Sequence, residues 1–151
     1  MSRPNKNATF LEIAETLSRR STCARRQVGC VLVNEHHHIV GCGYNGVGAN
    51  LSHCTDKPCQ GAGLASGTGL DKCEAIHAEQ NALLQCKDVQ SIHTAYITCS
   101  PCMHCAKLFL NTGVKEIVFT GAEAYDTHAI WMLADAGIKM FQLHEGELHQ
   151  W

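Results

Sequence analysis

Two short segments of this 151-residue chain carry side chains whose types and spacing could do chemistry. His77 stands two residues before Glu79, and Cys102 stands three residues before Cys105. Two cysteines three residues apart on a helix lie on one face, so both sulfurs can reach the same ion. Zinc binds imidazole and thiolate in a tetrahedron, and a catalytic site leaves the fourth position to water. We therefore predict a zinc ion held by His77, Cys102 and Cys105.

Glu79 is the residue that would make such a site catalytic. Three ligands are already supplied, so its carboxylate is free to move protons beside a water whose pKa zinc lowers. H-x-E followed by P-C-x-x-C is typical of zinc deaminases that act on nucleobases. A redox pair of Cys102 and Cys105 and a non-catalytic zinc-binding module are the alternatives. Glu79 argues against the module, because a structural zinc has no use for an acid beside an open position.

Regular elements must place both segments at the starts of helices. Ser100 suits an N-cap and Pro101 the first helical position. A hairpin followed by strand–helix alternation favours one mixed sheet covered on both faces. The sequence predicts an α/β fold of three layers, α/β/α, with a five-stranded mixed sheet in a single domain over 1–151. The predicted helices are 8–20, 74–86, 101–111 and 126–136, and the predicted strands are 27–33, 39–44, 94–98, 114–120 and 138–143.

Composition excludes several classes of protein. Lys and Arg number 12 against 14 Asp and Glu, which argues against a polybasic binder of nucleic acid polymers or membranes. Apolar residues make up 45% of the chain, which argues against disorder. No apolar signal-peptide segment or membrane span is evident, so we expect a cytoplasmic protein. Thiols stay reduced in the cytoplasm, and the ten cysteines are therefore expected to bind metal, react or pack rather than form disulfides.

The chain resembles the deoxycytidylate (dCMP) deaminases, in particular phage and viral members, of the zinc-dependent cytidine deaminase-like family. The resemblance covers about residues 10–141 and implies the cytidine deaminase-like fold. It implies hydrolysis of dCMP to dUMP and ammonia, which supplies dUMP for dTTP synthesis. Deamination of dCTP or of another nucleotide or nucleoside base by the same zinc chemistry is the alternative. The segments that carry the resemblance are Gln27–Cys30, Gly43–Gly46, His77–Ala82, Ser100–Lys107 and Gly113–Lys115.

The resemblance also implies substrate-binding residues. Asn45 would hydrogen-bond the deoxyribose, and backbone groups of Ala78 and Ser100 would contact the base. Tyr125 would stack near the base or sugar. The 5′-phosphate needs donors, and Arg26, with its neighbour before the first strand, is the nearest candidate. A solvated turn is the alternative for that arginine pair.

A long glycine-rich segment at 45–72 has little periodicity, and loops of this length are usually functional or tied down. Some phage members of the family hold a second, structural zinc, and Cys23 and Cys54 resemble positions used there. Cys59 and Cys73 are proposed to complete four thiolates, with His53 able to replace one of them. Four unrelated reduced thiols are the alternative.

Regulation is a further implication of the resemblance. Many family members are hexamers that are activated by dCTP with Mg²⁺ and inhibited by dTTP. We therefore expect a homo-hexamer with an effector site, for which Arg25, Arg26, Asn45 and Gly46 are the candidates. If the protein is viral, the expected location is the host cytoplasm.

Overall fold

The computed structural model describes residues 1–151 and contains a six-stranded sheet, a two-stranded sheet and four α-helices. The helices are α1 (Lys6–Ser18), α2 (Ala78–Gln85), α3 (Met103–Leu110) and α4 (Thr127–Asp135). The strands of the large sheet are β1 (Gly29–Asn34), β2 (Ile39–Tyr44), β5 (Ile92–Ile97), β6 (Glu116–Thr120), β7 (Lys139–His144) and β8 (Glu147–Gln150). The small sheet contains β3 (Gly46–Val47) and β4 (Ala75–Ile76).

The large sheet has the order β2-β1-β5-β6-β7-β8 and is mixed. β1 is antiparallel to both β2 and β5, whereas β5, β6 and β7 run parallel. α3 and α4 make the two crossovers between the parallel strands. The predicted mixed sheet that begins with a hairpin is therefore confirmed.

Helices cover both faces of the sheet. α1 packs Leu11 and Ala14 against Val31 and Tyr96 on one face. The other three helices build the larger core on the opposite face, in which Phe109 is fully buried. The alternation of strand side chains between these two cores confirms the predicted three layers. No helix is long and apolar enough to cross a membrane.

The predicted number of five strands is wrong, because β8 adds a sixth at the edge. It pairs antiparallel with β7 through a tight turn at Glu145 and Gly146, both of which have positive φ. All four side chains of β8 are exposed. A strand without a buried face has no alternation of apolar residues, and periodicity therefore could not reveal it.

Two helices begin later than predicted. α2 starts at Ala78 rather than at 74, because β4 takes residues 75–76 and pairs with β3. α3 starts at Met103, with Cys102 as its N-cap, so the predicted N-cap role of Ser100 is wrong. The Ser100 hydroxyl instead accepts a hydrogen bond of 2.6 Å from the backbone N–H of Tyr125. Each shift moves a predicted ligand to the exact start of a helix.

Candidate active site

His77, Cys102 and Cys105 come together in the structure. The Nδ1 atom of His77 lies 3.4 Å from each of the two sulfurs. All three ligand atoms lie within 4.8 Å of one another. Zinc–nitrogen and zinc–sulfur bonds of ordinary length span about 3.6 Å between ligand atoms of a tetrahedron. The spacing and chemistry of the three side chains therefore fit a zinc ion.

Both ligand segments lie at helix N-termini. His77 is the N-cap of α2, and Cys102 is the N-cap of α3. The Gln80 side chain accepts a hydrogen bond of 2.8 Å from the backbone N–H of His77, which holds that residue at the start of its helix. The positive ends of two helix dipoles favour anionic ligands at this point.

The electrostatics of the cluster follow from its hydrogen bonds. The pKa of Cys102 is lowered to about 4, mainly because its sulfur accepts a hydrogen bond from Cys105 and then from His77. The pKa of Cys105 is raised because its thiol proton is held in that bond. The pKa of His77 is raised, chiefly by its hydrogen bond with Cys102. The hydrogen bonds thus favour the thiolate form of Cys102, which is the form of cysteine that binds zinc.

Glu79 lies beside this cluster and is only 4% exposed. Burial raises the pKa of its carboxyl group above the ordinary value. It is not one of the grouped ligand atoms, but it lines the same cavity as His77 and Cys102. The arrangement is therefore three ligands with a separate buried acid, as the sequence predicts.

A close helix–strand contact sets the position of α2. Gly43 on β2 lies against the backbone of that helix, and a Cβ atom there would stand 2.6 Å from the carbonyl oxygen of Ala78 and 2.6 Å from the nitrogen of Ala82. Only glycine allows such an approach without moving the helix. Because His77 is the N-cap of α2 and Glu79 lies in its first turn, this contact sets the height of the ligand and the acid above the sheet.

The cavity at the cluster contains the predicted substrate-binding residues. Asn45, Ala78, Ser100, Tyr125 and Arg26 all line it. The Asn45 side chain accepts a hydrogen bond of 2.8 Å from the backbone N–H of Val28 and donates one of 2.8 Å to the carbonyl oxygen of Arg26. Asn45 therefore fixes the backbone that carries Arg26 to the cavity.

The two neighbouring arginines have different surroundings. Arg26 is exposed, and its guanidinium carbon lies 5.2 Å from the centre of the Tyr125 ring. Arg25 is half-buried and donates hydrogen bonds to backbone carbonyls of the glycine-rich segment. That segment also lines the cavity through Ser66, Gly67 and Leu70, which sequence reasoning did not identify. The length and glycine content of the segment were the only signals that pointed to it.

The four cysteines predicted to bind a second zinc do not form one cluster. Cys54 and Cys59 have their sulfurs 3.7 Å apart. Cys23 and Cys73 instead line the active-site cavity. His77, Cys102 and Cys105 make up the one group of three or more potential ligands within 4.8 Å. The four sulfur atoms therefore do not lie together in this structure, in which Cys23 and Cys73 are at the active-site cavity and Cys54 and Cys59 are not.

The candidates for an effector site are divided between two cavities. Arg25, Arg26 and Asn45 line the active-site cavity. Gly46 lines a second, open cavity together with Arg20. The rest of that cavity includes polar side chains of the glycine-rich segment and of α2, among them His53, Asn81 and Gln85.

Comparison with known proteins agrees with this geometry. A family model described as the cytidine and deoxycytidylate deaminase zinc-binding region matches residues 4–121. The deoxycytidylate deaminase of Mycobacterium phage D29 is 38% identical over 125 residues, which cover 79% of this chain and 97% of that protein. The deoxycytidylate deaminase of Schizosaccharomyces pombe is 34% identical over 144 residues, which cover 93% of this chain.

The chain matches only part of some longer relatives, and it shares its fold with a solved structure. The chain spans only 44% of the Schizosaccharomyces pombe protein and 45% of a similar deoxycytidylate deaminase from Saccharomyces cerevisiae. The crystal structure of dCMP deaminase from the cyanophage S-TIM5 in complex with dCMP and dUMP superposes with a TM-score of 0.73. The two share 24% identity, and the alignment covers 95% of this chain and 100% of that one, so they have the same fold. Sequence, site and fold agree that the chain belongs to the cytidine and deoxycytidylate deaminase family.

Proposed function

We propose that this protein hydrolyses dCMP to dUMP and ammonia with zinc, and so supplies dUMP for dTTP synthesis. The observation that carries the proposal is the buried acid Glu79 beside a three-ligand cluster that fits zinc. The deoxycytidylate deaminase of Mycobacterium phage D29 is similar over most of both chains, which supports this reaction. The fold is shared with a cyanophage enzyme whose structure contains dCMP and dUMP.

His77, Cys102 and Cys105 would hold the zinc ion. When bound, zinc lowers the pKa of a water molecule toward neutrality and so provides a nucleophile for C4 of cytosine. Glu79 would accept one proton of that water and pass it to N3 of the base. It would then accept the proton of the hydroxyl group newly bonded to C4 and pass it to the leaving amine, so that ammonia departs and the C4 carbonyl forms. Its burial suits this role, because a raised pKa makes the carboxylate a stronger base than an exposed glutamate.

The cavity supplies groups for the other parts of dCMP. Backbone groups of Ala78 and Ser100 contact the base, and the Tyr125 ring stacks near the base or sugar. Asn45 already makes two hydrogen bonds with the backbone, and its second amide N–H is left for the deoxyribose. Arg26 binds the 5′-phosphate, since its guanidinium lies at the cavity and is exposed. A phosphate-binding cation favours a nucleotide over a free nucleoside as the substrate.

The Glu79→Gln variant tests the reaction. The amide keeps the size of the side chain but cannot act as a base, so we expect ammonia release from dCMP to fall by about 10² to 10⁴. The zinc content should stay at the wild-type level, because Glu79 is not a ligand. Near-normal ammonia release by this variant would refute the assignment. A panel of dCMP, dCTP, deoxycytidine and adenosine substrates identifies the preferred one.

A second, structural zinc remains part of the proposal, with Cys54 and Cys59 as its first two ligands. Their sulfur–sulfur distance of 3.7 Å is close to the value of about 3.8 Å for two thiolates on one tetrahedral zinc. The pKa of Cys59 is lowered, mainly by a hydrogen bond from the backbone of Glu74. Cys23 and Cys73 would have to turn toward this pair. Metal analysis should find two zinc ions per chain, and one zinc per wild-type chain would refute the second site.

Regulation by nucleotides is proposed for the cavity beside Gly46. dCTP with Mg²⁺ would activate and dTTP inhibit, in a cytoplasmic homo-hexamer. Asn81 and Gln85 of α2 line that cavity, and His77 is the N-cap of the same helix. An effector bound there would therefore contact the helix that positions a zinc ligand. An effector must bind two states with different affinity to act in this way. Sigmoidal dCMP kinetics that become hyperbolic with dCTP would support the proposal, and hyperbolic kinetics insensitive to both triphosphates would refute it. Light scattering, which measures the molar mass in solution, tests the proposed hexamer.

A further inference from the structure

We infer that Arg25 is a positioning residue that holds the segment 64–68 as a wall of the active-site cavity, and that it does not bind the substrate phosphate. The structural part of this inference is independent of the reaction. Its kinetic consequences rest on the proposed function. Arg25 thus holds the segment in place and Arg26 binds the anion, although the two adjacent arginines could not be distinguished in the sequence.

One nitrogen of the Arg25 guanidinium makes the clamp. Its Nη1 atom lies 2.8 Å from the carbonyl oxygen of Thr68, 3.0 Å from that of Ala65 and 3.5 Å from that of Leu64. The residues joined are 39 to 43 positions apart in sequence. Three carbonyl oxygens surround Nη1, so this nitrogen is committed to the backbone of the segment rather than to a phosphate oxygen.

The segment 64–68 has little else to hold it. Its side chains are exposed, so it has no apolar core of its own. Within it, the Thr68 N–H bonds to the carbonyl oxygen of Ala65, and the Leu64 N–H bonds to Gly61. The bonds from Arg25 are the hydrogen bonds that join the segment to a distant part of the chain, and the packing of Gly67 against the Tyr125 ring is its other distant contact. Removing them should therefore release the segment.

The held segment forms part of the substrate site. Ser66 and Gly67 line the cavity with Glu79 and Tyr125. Gly67 has a φ of +85° and is so close to Tyr125 that a Cβ atom would lie 2.8 Å from the ring. The segment 64–68 thus packs against the Tyr125 ring, which is proposed to stack on the substrate. Loss of the clamp should weaken the contacts of any substrate that reaches Tyr125, whether or not it carries a phosphate.

Arg26, unlike Arg25, has guanidinium N–H groups that are available to bind an anion. It is exposed at the cavity, and its contact is the ring of Tyr125 rather than a set of carbonyl oxygens. A guanidinium stacked on a ring keeps its in-plane N–H groups available for a phosphate. The phosphate-dependent part of the affinity should therefore depend on Arg26.

Kinetics of Arg25→Gln and Arg26→Gln on dCMP and deoxycytidine separate the two roles. For Arg25→Gln we expect KM to rise by a similar factor, about tenfold or more, for both substrates. For Arg26→Gln we expect the rise for dCMP alone, so that the preference for dCMP over deoxycytidine falls. A loss confined to dCMP in Arg25→Gln would overturn the inference.

Hydrogen exchange of the zinc-loaded protein gives a readout that needs no activity. The backbone amides of 64–68 should exchange faster in Arg25→Gln and at the wild-type rate in Arg26→Gln. Unchanged exchange in Arg25→Gln would overturn the clamp. If Arg25→Gln does not fold, Arg25→Lys keeps the charge on a side chain one atom shorter, which does not bring its nitrogen to the position of Nη1, and the same two results are required of it. Faster exchange together with no ammonia release from either substrate by the wild-type protein would reject the proposed reaction and retain the clamp.

Discussion

Replacing Gly43 with alanine tests how closely the active site depends on the contact between β2 and α2. The new Cβ atom would lie 2.6 Å from the carbonyl oxygen of Ala78 and from the nitrogen of Ala82, both of which belong to the helix backbone. Backbone atoms cannot turn aside as a side chain can. The helix must move by about 0.8 Å to restore an ordinary contact of 3.4 Å.

That displacement acts on stability and on chemistry together. Inserting a methyl group into a packed contact typically costs about 1–3 kcal/mol. A misplacement of about 1 Å in catalytic groups can lower the rate by about 10²-fold. Because His77 caps α2 and Glu79 lies in its first turn, we expect kcat/KM for dCMP to fall by about that factor. Zinc should also dissociate more readily from the variant.

The assay combines ammonia release, zinc content after dialysis against a chelator, and urea unfolding. Gly63→Ala is the matched control, since a Cβ atom there has no atom within 4 Å and the backbone has no positive φ. The control should retain the activity and zinc of the wild-type protein. If Gly43→Ala behaves like Gly63→Ala in all three measurements, the contact does not set the position of α2 and the reasoning is wrong.

Three further predictions concern single side chains. Cys102→Ser should lose zinc and activity together, whereas Cys42→Ser, which changes a thiol outside the cluster, should retain both in the same metal and ammonia assays. Asn45→Ala should lower the free energy of unfolding in urea by about 1–3 kcal/mol, because the buried N–H of Val28 loses its acceptor; no loss would contradict the bonding described. Burial raises the pKa of Tyr96 from 10.0 to about 12, so the folded state keeps the phenol proton that the unfolded state gives up. Stability should therefore fall as the pH rises from 10 to about 12, and Tyr96→Phe should make that part of the pH profile flatter in thermal unfolding.

The sequence alone identified the three potential ligands that the fold brings together. The spacing between Cys102 and Cys105 and that between His77 and Glu79 are local, and local spacing on a helix start determines which side chains can share an ion. The predicted ligands form the cluster, with the acid beside them. The order of strands and helices likewise predicted the mixed sheet and its three layers, because alternating strands and helices leave few ways to cover a sheet.

Only the tertiary structure decided which distant residues share the cavity. His77 and Cys102 are 25 residues apart in the chain, and the approach of β2 to α2 at Gly43 sets the height of the first of them above the sheet. Arg25 and Arg26 are neighbours with the same side chain, yet Arg25 binds backbone carbonyls about 40 residues away and Arg26 lies beside the Tyr125 ring. Neither the edge strand β8 nor the separation of Cys54 from Cys23 could be predicted from the sequence. Hydrophobic periodicity reports which face of an element is buried, but contacts between polar groups on loops depend on where the folded backbone brings them.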